Sequence, residues 1–203
     1  MMLKIGEKLF KYRDYTPIPF VIVTLFYAAA DRNSLLIGSI SMILGECIRL
    51  IGVSYIGGVS RTKTYSTGQK LINGGPFSFV RNPLYLGNLF LSTGIIILAN
   101  VNIFFVLAFV VFFFCQYIPI VLWEESNLKQ IFGTEFEEYM QKVPRWIPAL
   151  RPKTRSDNKV SPEFLASIRS EKNTLFAAIV LYLLILWRSG YFDGLVSAIT
   201  AQL

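Results

Sequence analysis

Three stretches of this 203-residue sequence combine residue types that ordinary apolar packing does not require. The first is Gly74-Gly75-Pro76-Phe77, whose Gly75 stands seven residues ahead of Asn82-Pro83. Its glycines allow a backbone to approach a ligand closely and Pro76 fixes a turn, although a plain tight turn uses the same residues. The second is Arg81-Asn82-Pro83-Leu84-Tyr85-Leu86-Gly87. Pro83 suits the first turn of a helix, Asn82 is positioned to cap it, and the free N–H groups at such an end favour a carboxylate or another anion. Tyr85, Asn88 and Ser92 fall on one face of that helix, which serves a ligand or a neighbouring helix equally well. The third is Glu124-Glu125, directly after Trp123 at the end of an apolar run. Two carboxylates leaving hydrocarbon are costly unless water, a cation or a ligand meets them. They suit a positively charged ligand, a snorkelling position among headgroups, or the N-terminus of a following helix.

The absences narrow the chemistry. There is no histidine, so Ser–His–Asp triads, Cys–His dyads and HExxH zinc sites are excluded. Cys47 and Cys115 lie far apart in apolar stretches, so neither a metal site nor a redox pair is expected. Apolar residues make up 53% of the chain and charged residues 16%, with a mean hydropathy of +0.49. A soluble domain carries about 25% charge, so this balance points to an integral membrane protein.

The elements that must position these motifs follow from the apolar runs. A helix needs about 20 apolar residues to cross a bilayer. Five spans are expected: Pro17–Ala30, Leu35–Gly58, Pro83–Ala99, Val101–Trp123 and Leu175–Trp187. The third and fourth, separated by Asn100, form an antiparallel hairpin. Glu46 and Arg49 fall inside the second span, at a spacing that suits a mutually compensated ion pair. Residues 1–16, with Lys4, Lys8, Lys11 and Arg13 among apolar residues, read as an interfacial amphipathic helix. Leu128, Ile131, Phe132, Phe136, Tyr139 and Met140 share one face of a second amphipathic helix over Glu125–Met140. Pro144 and Pro148 then impose an extended stretch, and Arg151–Pro162 reads as a basic linker. The expected fold is an all-α polytopic helical bundle, with residues 1–69, 70–150 and 151–203 as its N-terminal, central and C-terminal parts. The formal charge of +7 is explained by orientation: 17 of the 20 Lys and Arg fall in 1–16, 59–82 and 124–173, which places the N-terminus in the cytoplasm without invoking nucleic acid.

The order of the motifs carries further. Gly75-Pro76-Phe77, the Arg81–Gly87 motif, a helical hairpin, Glu124-Glu125-x-x-Leu128, then Phe132-Gly133, Tyr139 and Val143-Pro144-Arg145 together resemble the isoprenylcysteine carboxyl methyltransferase family and its phospholipid methyltransferase relatives. The resemblance covers roughly Lys70–Pro148. It implies a membrane methyltransferase that uses S-adenosylmethionine at its cytosolic side without a Rossmann fold and without a metal. It also implies cofactor contacts at Gly75, Phe77, Arg81, Asn82, Tyr85, Gly87, Glu125 and Tyr139, with Arg145 near the transfer site. Two departures stand out: Asn82 occupies a position where the family often has histidine, and Phe136 one where many members have tyrosine.

The chemistry is compatible with a histidine-free chain. A carboxylate acceptor is already a nucleophile at neutral pH, so positioning and partial desolvation suffice. An amine acceptor, as in a phospholipid headgroup, arrives protonated and needs a base, for which Glu124 and Glu125 are the candidates. Either acceptor would carry a lipid chain, which accounts for an enzyme embedded in the bilayer. The rival readings are an NADPH-dependent membrane reductase and a non-catalytic membrane protein.

Overall fold

The computed structural model describes residues 2–56, 71–154 and 162–193. The expected domain boundary at 69/70 and most of the expected linker lie outside these residues. The described residues form helices α1 (Met2–Tyr12), α2 (Ile18–Phe26), α3 (Arg32–Ile56), α4 (Pro83–Leu98), α5 (Ile103–Phe132), α6 (Thr134–Lys142) and α7 (Phe164–Arg188), with a 3₁₀ turn at Gly75–Ser78 and no strand. Helices α3, α5 and α7 are each long and apolar enough to cross a membrane. The 16-residue α4 reaches about 24 Å. Large apolar side chains face outward on several of these helices, among them Ile40, Ile43, Phe104, Val111, Phe176 and Ile179. The molecule is a polytopic helical bundle.

Three expectations change in detail. The first span is a helix of nine residues, α2, about 14 Å long and too short to cross alone. Within α2, Phe20 packs among Phe105, Phe109 and Phe112, and the flanking irregular residues extend its path: Thr16 hydrogen-bonds Gln116 on α5, and the Ala29 N–H reaches the Ala99 carbonyl. Secondly, α5 runs on to Phe132, and Gly133, at φ 55° and ψ −126°, separates it from α6. The amphipathic helix expected over Glu125–Met140 is therefore two helices, because Gly133 adopts a backbone conformation that breaks the ladder. Thirdly, α7 begins at Phe164, eleven residues before the apolar run that signalled it.

The tightest helix pair is α3 against α4, and glycines make it so. A Cβ on Gly45 would lie 2.5 Å from the Leu91 nitrogen, and one on Gly94 would lie 2.8 Å from the Met42 nitrogen. Such close backbone approach is how helices associate in hydrocarbon, where no hydrophobic force drives them together. Within this pair Arg49 is a hub. Its guanidinium hydrogen-bonds Asn88 on α4 and both Glu171 and Thr174 on α7, and its Nε lies 3.7 Å from Glu46. The expected Glu46–Arg49 pair is present, but the nearer partners come from the other two helices. Helix α1 crosses α5 where Gly6 abuts the Pro119 carbonyl and Trp123.

Candidate active site

The site grows from two segments that lie side by side. Pro144 and Pro148 deny residues 144–154 a regular helix, and this strap runs antiparallel to residues 73–82. The Arg81 N–H donates to the Pro144 carbonyl at 2.9 Å, Ala149 to Phe79 at 2.9 Å, and Lys153 to Ser78 at 2.8 Å. The Thr154 hydroxyl closes the far end on the Asn73 carbonyl. The two segments thereby present Arg81, Asn82 and Arg145 to the C-terminal half of α5.

At the centre is Glu125, 8% exposed. It accepts two hydrogen bonds from Arg145, at 3.1 Å from Nε and 2.7 Å from Nη2, the forked geometry that suits guanidinium and carboxylate. Arg81 Nε lies 3.3 Å from the same carboxylate, and Arg81 Nη1 donates to the Met140 carbonyl at 3.0 Å. Burial pulls the Arg81 guanidinium below its ordinary value; Glu125 opposes this and the like charge of Arg145 adds to it. Asn82 was expected to cap α4, yet its side chain makes no cap hydrogen bond. It donates instead to the Arg145 carbonyl at 3.1 Å and fixes the strap.

Tyr139 reaches the cluster from α6. Its hydroxyl donates to the Phe77 carbonyl at 2.8 Å, joining α6 to the 3₁₀ turn. Burial pushes this hydroxyl well above its ordinary value, so it stays a donor. Phe136, the other buried residue of α6, packs beside it at a ring separation of 5.9 Å. Glu124 belongs to a neighbouring pair: it accepts from the Tyr85 hydroxyl at 2.8 Å, and the Tyr85 ring lies 4.7 Å from that of Tyr117.

Of the residues singled out in the sequence, Arg81, Asn82, Glu125 and Arg145 thus meet through direct hydrogen bonds or ion pairs, while Phe77 bonds to Tyr139 and Tyr85 to Glu124 as two further pairs. Gly75 and Gly87 stand apart. Gly75, at φ 56°, leaves space for the Tyr55 ring, which a Cβ would meet at 2.5 Å. Gly87 lies in the α3–α4 seam, where a Cβ would fall 2.6 Å from Arg49 Cγ. Its smallness serves helix packing.

Sequence reasoning missed the Arg49–Asn88–Glu171 link and the strap's pairing with residues 73–82. Glycines at 38, 45 and 52, and again at 87 and 94, repeat every seventh residue and would have announced the α3–α4 seam. The strap carries no such signal, because its contacts are mostly made by backbone.

In this cluster Arg81 Nε is buried and has no hydrogen-bond acceptor of acceptable geometry. Two guanidinium groups face one carboxylate, so the described cluster carries an excess of one positive charge. Such a site suits an anionic group, and a carboxylate matches Arg in geometry.

Known proteins resemble the chain over part of its length. The phospholipid methyltransferase family model matches residues 33–135, just over half of the chain. That match takes in α3, which the motif resemblance left out, and ends before Tyr139 and Arg145. Protein-S-isoprenylcysteine O-methyltransferase B of Arabidopsis thaliana is 34% identical over 119 residues, which is 55% of this chain and 57% of that protein. A probable protein-S-isoprenylcysteine O-methyltransferase of Oryza sativa subsp. indica is 36% identical over 118 residues, 55% of this chain and 60% of that protein. The chain therefore spans about three fifths of the length of these curated relatives. No solved structure matches it.

Proposed function

The chain belongs to the phospholipid methyltransferase family, and from that premise we propose that it is a membrane methyltransferase that uses S-adenosylmethionine to methylate the carboxylate of a lipid-modified, isoprenylcysteine-like acceptor. The observation that carries this reading is the convergence of Arg81, Glu125 and Arg145 from three separate segments, with Asn82 hydrogen-bonded to Arg145 and Arg81 hydrogen-bonded to the Met140 carbonyl next to Tyr139. The names of its relatives support the acceptor class.

The residues present fit the cofactor. Its amino-acid end carries a carboxylate and an ammonium, which correspond to the Arg81 Nε that lacks an acceptor and to Glu125. Arg81 and Asn82 would hold the carboxylate and Glu125 the ammonium, with Gly75, Phe77, Tyr85 and Tyr139 near them. Gly87 would act indirectly, by setting how closely α4 approaches α3. When bound, the cofactor supplies a methyl carbon whose transfer to an acceptor oxygen leaves the electron pair of the broken C–S bond on sulfur. Arg145, with a side chain 36% exposed, is the cluster's accessible cation and orients the acceptor carboxylate. That carboxylate is ionised at neutral pH and needs no base. The excess of Lys and Arg in residues 1–16, 59–82 and 124–173 supports a cytoplasmic N-terminus and a cytoplasmic site.

The Tyr85–Glu124 pair favours a second reading, N-methylation of a phospholipid amine. Glu124 is a carboxylate beside the cluster that binds neither arginine of it, and it is available as the base that a protonated amine requires. Labelled methyl donor and purified protein in nanodiscs distinguish the two. Label on a prenylated cysteine, released as methanol by mild alkali, identifies the ester. Label that survives alkali on a phospholipid headgroup identifies the amine and overturns the first reading.

A further inference from the structure

Helix α1 rests on α5 along a narrow contact. A Cβ on Gly6 would lie 2.2 Å from the Pro119 carbonyl oxygen, and the Phe10 ring packs 5.0 Å from that of Trp123. Pro119 and Trp123 lie about 24–30 Å along α5 from its start at Ile103, and the hydrocarbon of a bilayer is about 30 Å thick. That depth puts α1 where acyl chains give way to headgroups. By helical periodicity Lys4, Lys8 and Lys11 fall on one stripe of α1, on the side opposite Gly6, and all three are exposed. Ile5 and Tyr12, 40% and 53% exposed, flank that stripe. Two other exposed lysines, Lys129 and Lys142, pair with Glu137 and Glu138. Among the described residues no carboxylate pairs with Lys4, Lys8 or Lys11, the nearby Glu7 included.

We propose that this lysine stripe binds the anionic headgroups of phospholipids in the surrounding leaflet. Charge complementarity argues for this partner, because three ammonium groups stand in a row without a carboxylate of the protein to meet them. Depth argues for it too, since α1 crosses α5 at the level where headgroup phosphates lie. The apolar flank separates a lipid from a soluble anion: Ile5 and Tyr12 can enter the acyl boundary while the lysine stems run beside them and carry the charge outward. A basic, partly apolar helix at this depth is drawn to anionic lipid within a Debye length of the surface. Held this way, α1 keeps Phe10 against Trp123, the residue before Glu124 and Glu125, and so braces the end of α5 that carries the polar cluster. The inference goes beyond the methyltransferase reading and does not depend on it.

The test places the full chain in nanodiscs of phosphatidylcholine, with and without phosphatidylglycerol. A water-soluble amine-acylating reagent and mass spectrometry read the reactivity of each lysine, and hydrogen exchange reads residues 2–12. With phosphatidylglycerol present, Lys4, Lys8 and Lys11 should acylate at least tenfold more slowly relative to Lys129 and Lys142, and exchange across α1 should slow. High salt should remove both effects. The triple variant Lys4→Gln, Lys8→Gln, Lys11→Gln should lose the lipid-dependent slowing of exchange with its circular dichroism unchanged, whereas Lys129→Gln with Lys142→Gln should retain it. Reactivity of the three lysines indifferent to phosphatidylglycerol would overturn the proposal. Equal protection of Lys129 and Lys142, or slowing that persists in the triple variant, would do the same. Protection in plain phosphatidylcholine by inorganic phosphate, or by polyglutamate, in place of the lipid effect would assign the stripe to a soluble anion or to an acidic protein and overturn it as well. None of these readouts requires methyl transfer, so the outcome is separate from that of the methyltransferase reading.

Discussion

Glu125 and its two arginines show how much a single residue position carries in this molecule. Arg81, Glu125 and Arg145 lie far apart in the chain, and their meeting was legible only as a resemblance in motif order, since spacing alone does not predict which side chains touch. Their types were informative nonetheless, because a carboxylate at the end of an apolar helix demands a partner. The capping role expected of Asn82 was a local inference and yielded to a tertiary contact, its bond to the Arg145 carbonyl. Tyr139 gives a prediction at this scale. Burial holds its hydroxyl above the ordinary value of 10.0. A raised value in the folded state means stability that is present below the unfolded value and declines as pH rises through and above it. Tyr139→Phe should therefore flatten the loss of thermal stability above about pH 10. At neutral pH it should cost about 1 kcal/mol for the lost bond to Phe77. A melting temperature measured against pH checks both, and an alkaline limb identical to that of the wild type would contradict the assignment.

Elements were legible where periodicity was long and hidden where one backbone angle decided. The hairpin of α4 and α5 follows from two apolar runs around Asn100, itself at φ 56°. The break at Gly133 was not legible, because the apolar face continues across it in the sequence. Two glycine substitutions separate packing from conformation. Gly45→Ala drives a Cβ into the backbone of α4, 2.6 Å from the Gly87 oxygen, and should destabilise the bundle by about 1–3 kcal/mol. Gly133→Ala meets nothing within 4 Å, but holds alanine at φ 55°, a strain of about 1–3 kcal/mol. Because α6 carries Tyr139 and can undock locally to relieve that strain, the second change should weaken binding of S-adenosylhomocysteine and lower the melting temperature of the bundle less than Gly45→Ala does. Equal losses of melting temperature in the two variants would argue against this division.

At the scale of the whole molecule, the family match ends before α7, and the contacts that tie α7 to the rest include those of Arg49 with Glu171 and Thr174. Composition announced a last span but not its role, because the polar half of α7 lies upstream of the apolar run that signalled it. Arg49→Ala should cost about 3 kcal/mol, since it removes the buried guanidinium that links α3 to Asn88, Glu171 and Thr174. It should also expose α7 to limited proteolysis, whereas Lys153→Ala on the strap should not. Loss of α7 protection in neither variant would contradict the hub. The central claim is that Arg81, Glu125 and their neighbours form a cofactor site, and calorimetric titration of the detergent-purified protein with S-adenosylmethionine and S-adenosylhomocysteine tests it most directly. Micromolar binding that falls at least tenfold in Arg81→Ala and Glu125→Gln, with both variants folded by circular dichroism, is the predicted result. Absence of binding to folded wild-type protein, or binding indifferent to both substitutions, would contradict it.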